Sequence, residues 1–256
     1  MDINCDLGEG EPLTRTRALM RWITSANVAC GGHAGDVRSM RDCARLCHQH
    51  GVRLGAHPGW SAGGDFGRGE VRLSADELEL LLLQQVGALQ RIAGEEGARL
   101  HHVKLHGALY HAAEADPSLA RCYVQAIRQW WPNCRIYARP DGRVARLAPR
   151  HGVAVWGEAF ADRAYADDGA LVPRSRAGAL LTARAQVIRR ALLVRDQGAI
   201  ETVTGRRLAV RPRTLCIHSD TPGANSLARA VALVFRGENP PRFSRARRGL
   251  SHPSPR

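Results

Sequence analysis

HHVKLH, residues 101–106, is the stretch that decides the fold. Successive residues of a strand face opposite sides, so Val103 and Leu105 share one face and His102, Lys104 and His106 the other. The same split recurs near both ends of the chain. Ile3, Cys5 and Leu7 oppose Asp2, Asn4 and Asp6, and Leu215 and Ile217 oppose Cys216, His218 and Asp220. One face is made for packing against helices. The other gathers Asn, Asp, Lys and His toward the C-terminal end of each strand. An open sheet with helices on both faces would be apolar on both. A closed barrel instead has an interior whose C-terminal rim carries polar chemistry.

Around this stretch, strand-like segments alternate with helical ones. Strands are expected at 2–6, 25–30, 52–56, 101–105, 135–138, 153–156 and 214–218, and helices at 38–50, 75–93, 117–129, 177–195 and 225–235. Ser74 with Glu77 makes a capping-box start for the second helix, and Gly51 a C-cap for the first. With no run of hairpins, the pattern predicts an α/β fold, a seven-stranded β/α (TIM-like) barrel with helices outside. Residues 1–240 form the single expected domain, and 241–256 a basic, disordered tail rich in Pro, Ser and Arg.

The chain has 256 residues, 44% of them hydrophobic and 24% charged, enough for one large core and a charged surface. No apolar run reaches the roughly 20 residues that span a bilayer, and MDINCDLG enters a strand directly rather than a signal peptide. A cytoplasmic protein without a membrane partner is expected. Seven scattered cysteines without a CxxC pair read as reduced thiols, mostly core filler. The net charge of +13 is spread along helices rather than concentrated, so no nucleic-acid partner is expected.

Several strand ends carry chemistry. NCDLGEG (4–10) offers Asp6 and Glu9, either as a base or substrate anchor or merely as polar loop residues. SANVACGGHAGD (25–36) presents His33 and Asp36 after a glycine pair, and GAHP (55–58) brings His57 to the third strand end. In a barrel these loops converge, so His33, His57, His106 and His218 would share one mouth. GGDFGRG (63–69) reads as a lid carrying Asp65, with Arg68 a candidate for an anionic group. EAFADRAY (158–165) adds Glu158 on the polar parity, then Asp162 and Arg163, which as a pair need be no more than a surface ion pair. Lys104 is the sole lysine among 37 Lys and Arg residues. Where Arg serves everywhere else, one Lys suggests a compact charge in a confined place, or a group able to give up a proton. A buried ion pair is the competing reading. No GxSxG, HExxH, GxGxxG or GxxxxGK[ST] motif occurs, so serine-nucleophile, zincin, nicotinamide and Walker-type phosphate chemistry lack support. A metal held by Asp6, His33 and His57 is physically possible, but no compact ligand spacing demands one, and activity is expected to withstand chelation.

Taken in order, NCDLGE, SANVACGGHAGD, GAHP, FGR, KLHGALY, EAFADRAY and CIHSD resemble the family of 5-oxoprolinase A subunits, also called LamB/YcsF. The resemblance implies a seven-stranded barrel related to deacetylase and glycosidase barrels. It also implies ATP-dependent opening of 5-oxoproline to glutamate with two further subunits, B and C. ATP would be the co-substrate of the complex. The candidate catalytic set is then Asp6, His57, Lys104, His106, Glu158, His218 and Asp220. The candidate substrate-binding set is Asn4, Asn27, His33, Arg68, Tyr110 and Arg163. The sequence departs from the family at Leu105, Gly69, His111 and Ser219, where Pro, Arg, Asn and Gly are usual. Leu105 and Ser219 lie on the packing parity, whereas Gly69 and His111 could alter substrate fit. The alternatives are a stand-alone metal-dependent amidase or deacetylase on the same barrel, and a ligand-binding protein without turnover.

Overall fold

The first strand, β1 (Asp2–Leu7), is buried along its whole length, acidic residues included. Residues that alternate Ile, Cys, Leu with Asp, Asn, Asp can be buried on both sides only if the polar side meets other polar groups. The computed structural model, which describes residues 1–60, 64 and 66–238, supplies them by closing the sheet. β1 pairs in parallel with β2 (Ser25–Ala29) and with the last barrel strand, β9 (Thr214–His218). β3 (Arg53–His57), β4 (Leu100–Val103), β5 (Arg135–Ala138) and β6 (Val155–Phe160) complete the ring, with β6 joined to β9. The result is a closed seven-stranded parallel barrel.

Outside it stand α1 (Leu13–Met20), α2 (Val37–His50), α3 (Ala75–Glu95), α4 (Gly107–Ala115), α5 (Pro117–Trp130), α6 (Arg143–Leu147), α7 (Arg184–Gln197) and α8 (Ala224–Arg236). Their apolar faces and the outward strand residues form one continuous core, from Ile3 and Leu7 through Leu54, Val103 and Ile136 to Leu215 and Ile217. Local signals set the boundaries. Asp36 caps α2 reciprocally with Ser39, and Gly51 closes it at φ 65°. Ser74 and Glu77 form the expected box at the start of α3. Each such cap is worth about 1 kcal/mol.

Helices α1, α4 and α6 lie outside the set expected from the sequence, and other details differ from it as well. β6 runs to Phe160 rather than 156, which places Glu158 within the strand and facing inward, hydrogen-bonded by Asn4. α7 starts at Arg184, not 177. The residues before it form a loop tied back by the bridges Arg163–Leu180 and Tyr165–Leu171. A two-stranded hairpin, β7 (Ala199–Glu201) with β8 (Arg207–Ala209), sits between α7 and β9. Its turn is legible in the Thr204–Gly205 step, where Gly205 takes φ 87°. β4 ends at Val103 by its strand pairing, but its ladder continues: Lys104 N–H donates to Ala56 O and His106 N–H to Pro58 O. The expectations for Asp65 and for the tail, 241–256, fall outside the described residues. Among the described residues, no helix is long and apolar enough to cross a membrane.

Candidate active site at the barrel mouth

The barrel interior is a polar column built in tiers. At its base, the carboxylate of Asp2 accepts from the hydroxyls of Thr24, Ser25 and Thr214. Trp156 closes the floor under the guanidiniums of Arg53, Arg135 and Arg213. One tier up, Asn27 Nδ2 donates to Asn4 Oδ1 and Asp6 Oδ1, both at 2.7 Å, and Asn4 Nδ2 donates to Glu158 Oε1 at 2.9 Å. His102, absent from the candidates named from sequence, meets Asn27 Oδ1 through Nε2 at 2.6 Å and stacks on Tyr137. Asn4 and Asn27 are fully buried here. They scaffold the carboxylates, and neither lines the cavity above.

Lys104 occupies the next tier. Its Nζ donates to Asp6 Oδ1 at 2.8 Å, stands 3.1 Å from Glu158 Oε1 and 3.2 Å from Cys216 Sγ. Cys216 is thus part of the polar interior rather than core filler. Burial alone would lower the Lys104 pKa, but Asp6, Cys216 and Glu158 outweigh it and hold the ammonium well above its ordinary value. Burial would likewise raise Asp6, yet His57 and Lys104 hold it well below the usual carboxylate range. Glu158 goes the other way: burial raises it and Lys104 only partly compensates. Its Oε2 has no hydrogen-bond partner.

The rim is a cluster of imidazoles around Glu9, which the sequence reading left outside its candidate sets. Glu9 Oε1 lies 2.9 Å from His33 Nε2, 3.2 Å from His106 Nδ1 and 3.7 Å from His57 Nε2. His33 and His106 stack in parallel, centroids 3.5 Å apart. Packing this close needs bare backbone alongside. A Cβ on Gly59 would lie 2.2 Å from His33 Nδ1, and Gly67 takes φ 65° beneath His33 and His106. Burial pulls His106 down to about 4 and lowers His33 as well.

On the opposite wall His218 is held by Asp162, which accepts from its Nδ1 at 3.0 Å and from its backbone N–H at 2.9 Å. Thr221 Oγ1 donates to the same carboxylate. Asp162 is fully buried and belongs to this pair, not to a surface pair with Arg163. His218 Nε2 is left 3.9 Å from Asp6 Oδ2.

These groups open into a cavity of about 750 Å³, lined among others by Asp6, Glu9, His57, Lys104, His106, Tyr110 and His218, with Arg68, Arg163 and Arg174 around it. A smaller cavity of about 250 Å³ adjoins it across Tyr110, His111, Phe160 and Leu171 and reaches Glu158. Tyr110 OH and Arg163 Nε are buried without partners. Asp220 is not among the interior groups. It is exposed and ion-paired with Arg68 at 2.9 Å and Arg174 at 2.7 Å. Asp36 serves as the α2 cap. Of the departures from the family pattern, Gly69 and His111 line the large cavity. Leu105 does so as well, although it is buried in the core, while Ser219 is buried. Arg174 had no sequence signal, since it lies in an irregular loop without a motif.

A parallel barrel whose interior is charged, and whose C-terminal mouth gathers carboxylates, imidazoles and guanidiniums, is built as an enzyme rather than as a scaffold. The LamB/YcsF family profile matches residues 1–242, and the chain belongs to that family. It is 41% identical over 239 residues, covering 92% of this chain and 94% of the relative, to a Bordetella pertussis (strain Tohama I) protein named as the A subunit of 5-oxoprolinase. A protein of the same name from Erwinia tasmaniensis is 39% identical over 235 residues, covering 92% and 95% of the two chains. Among solved structures, the lactam utilization protein of Thermus thermophilus superposes with a TM-score of 0.84 at 39% identity, covering 93% of this chain and 98% of that one.

Proposed function

We propose that this chain is the A subunit of an ATP-dependent 5-oxoprolinase, which opens 5-oxo-L-proline to L-glutamate together with B and C subunits. The observation that carries the reading is the His218–Asp162 pair facing the cavity beside the fixed Asp6–Lys104 charges. The names of the relatives supply the substrate.

Lactam hydrolysis needs a base for water, stabilisation of the developing oxyanion and a proton for the departing nitrogen. Asp162 accepts from His218 Nδ1, which leaves Nε2 as the ring nitrogen that faces the cavity and can serve as the base. Asp6 is held too acidic to take up protons readily. It fixes Lys104 and carries negative charge opposite the base. Lys104 is a positive charge at the cavity floor rather than a proton shuttle, because its acidic neighbours, Asp6 foremost, hold its ammonium well above the ordinary value. Glu158, whose carboxyl burial pushes upward and whose Oε2 is unpartnered beside the smaller cavity, is the candidate proton donor of the network. Arg163, with Arg68 and Arg174, receives the substrate carboxylate. The cavity is far larger than one five-membered lactam fills, which leaves room for a form phosphorylated on its amide oxygen. ATP cleavage belongs to the assembled complex, in which the partners contribute the nucleotide chemistry.

The test is glutamate production from 5-oxoproline and ATP with the partner subunits present, comparing the native chain with His218→Asn. Loss of about 100-fold or more in turnover is expected for a general base. Native turnover in a well-folded His218→Asn protein would remove His218 from that role.

A further inference from the structure

We infer that the Glu9–His57–His106 cluster is a binding site for one zinc-class divalent ion, with its remaining position open to the large cavity. His57 Nδ1 lies 2.8 Å from Lys104 O, and His106 Nε2 lies 3.0 Å from Phe66 O. A carbonyl oxygen only accepts, so each of these nitrogens carries the ring's proton. With a single proton on each ring, the other nitrogen, His57 Nε2 or His106 Nδ1, is a bare lone pair. These two lone pairs face each other at 3.0 Å. Two bare acceptors do not hold each other at that distance without a cation between or beside them.

Glu9 adds a carboxylate oxygen 3.2 Å from the His106 nitrogen and 3.7 Å from the His57 nitrogen. Ligand atoms about 2.0–2.1 Å from a tetrahedral zinc stand about 3.3 Å from one another, and the three separations bracket that value. The two rings meet at 83°, so both can point at one ion.

His33 is near but is not a ligand. It stacks parallel to His106 with only 5° between the planes, centroids 3.5 Å apart. An ion in the plane of His106 lies well out of the plane of His33, where an imidazole has no lone pair. His33 Nε2–H instead donates to Glu9 Oε1 at 2.9 Å. Each ligand thus has its outer partner: Lys104 O for His57, Phe66 O for His106 and His33 for Glu9. Glu9, His57 and His106 line the cavity and His33 does not. Two imidazoles and one carboxylate with an open side facing a cavity is the donor set of a reactive rather than a structural zinc site. Asp6 Oδ2 also stands 3.5 Å from His57 Nε2, but its Oδ1 is committed to Lys104 and Asn27, and its carboxylate groups with Cys216 and His218 as a second set of potential ligand atoms. The proposed ligands thus differ from the trio of Asp6, His33 and His57 that the sequence left open. The inference does not depend on the lactam reading, since binding is read without turnover and the two fail separately.

Full-length protein, stripped with a chelator, is titrated calorimetrically with zinc chloride. Cobalt(II) is followed in parallel by its visible absorption. One ion per chain is expected, with a cobalt spectrum of a four- or five-coordinate site. Glu9→Gln and His106→Gln should each weaken zinc binding by on the order of 100-fold or more, and His33→Asn, an outer partner, by about 10-fold. Asp6→Asn should bind within a few-fold of the native chain. Absence of saturable binding by stripped protein that keeps its native melting curve would overturn the inference. So would binding lost in Asp6→Asn but kept in Glu9→Gln. Imidazole nitrogen spectra of the native chain showing one proton shared between His57 and His106 in the presence of excess zinc would overturn it too, by naming the cation as a proton.

Discussion

Lys104 shows how much one residue's surroundings decide. The ammonium is 2% exposed and serves two carboxylates at once. Removing one partner of such a buried set typically costs about 3–5 kcal/mol, because the other charges remain in a poor solvent for them. Lys104→Met should therefore lower stability by about that much, read by denaturant unfolding. Lys104→Arg keeps the charge but must fit a larger planar group beside Cys216 and Phe160. It should cost about 1–3 kcal/mol by overpacking and, in the reconstituted complex, about 100-fold or more in turnover. Native turnover in Lys104→Arg would mean that any cation suffices. Asp162 is the second residue on which the account turns. Asp162→Asn should cost His218 its correct tautomer and reduce turnover while leaving substrate affinity nearly unchanged, a split seen in kcat against KM. Burial raises the Asp162 carboxyl, but His218 and its hydrogen bonds more than offset that and leave it below 3.8. Its stabilising effect is thus complete above that ordinary value and is lost as pH falls through the lowered one. The stability gap between native and variant chains should close in acid.

At the scale of elements, the alternation in HHVKLH was sufficient to predict which side of each strand faces inward, and the barrel follows from it. Inward Asp2, Asn4, Asp6, His57, Lys104 and His218 were readable because a two-residue period is local. What stayed hidden depends on geometry between elements. Glu9 sits in a glycine-flanked loop, and nothing local says that three imidazoles surround it. Asp162 reads as half of an Asp–Arg pair until the chain after β6 turns its carboxylate toward β9. Asp220 shares the inward parity of β9, yet it follows the strand's end and swings out to Arg68 and Arg174. Helix α4 escaped notice because it is nine residues long and its first residue, Gly107, takes φ 48°. The loops that hold the imidazoles are specific in turn. Gly59→Ala would place a methyl group 2.2 Å from His33 Nδ1. It should leave the barrel's far-ultraviolet dichroism intact while displacing His33 from Glu9, seen as altered histidine side-chain resonances. Unchanged resonances would show that the cluster tolerates expansion at this point.

For the whole molecule, the barrel turns a costly interior into a working one. A column of charges and amides this deep is tolerated because nearly every member has a partner, and two of the buried atoms without one, Tyr110 OH and Arg163 Nε, belong to residues that line the large cavity. On the proposed reading the chain supplies base, fixed charges and anion-binding guanidiniums, and its relatives are named as A subunits of 5-oxoprolinase. Its chemistry is therefore expected to be one part of a larger machine. The most direct test of that claim is the rate of glutamate formation from 5-oxoproline and ATP, measured for the purified chain alone and again with B and C subunits added. The account predicts negligible turnover alone and robust ATP-dependent turnover on reconstitution. Full turnover by the isolated chain, or none after all three subunits have assembled, would contradict it.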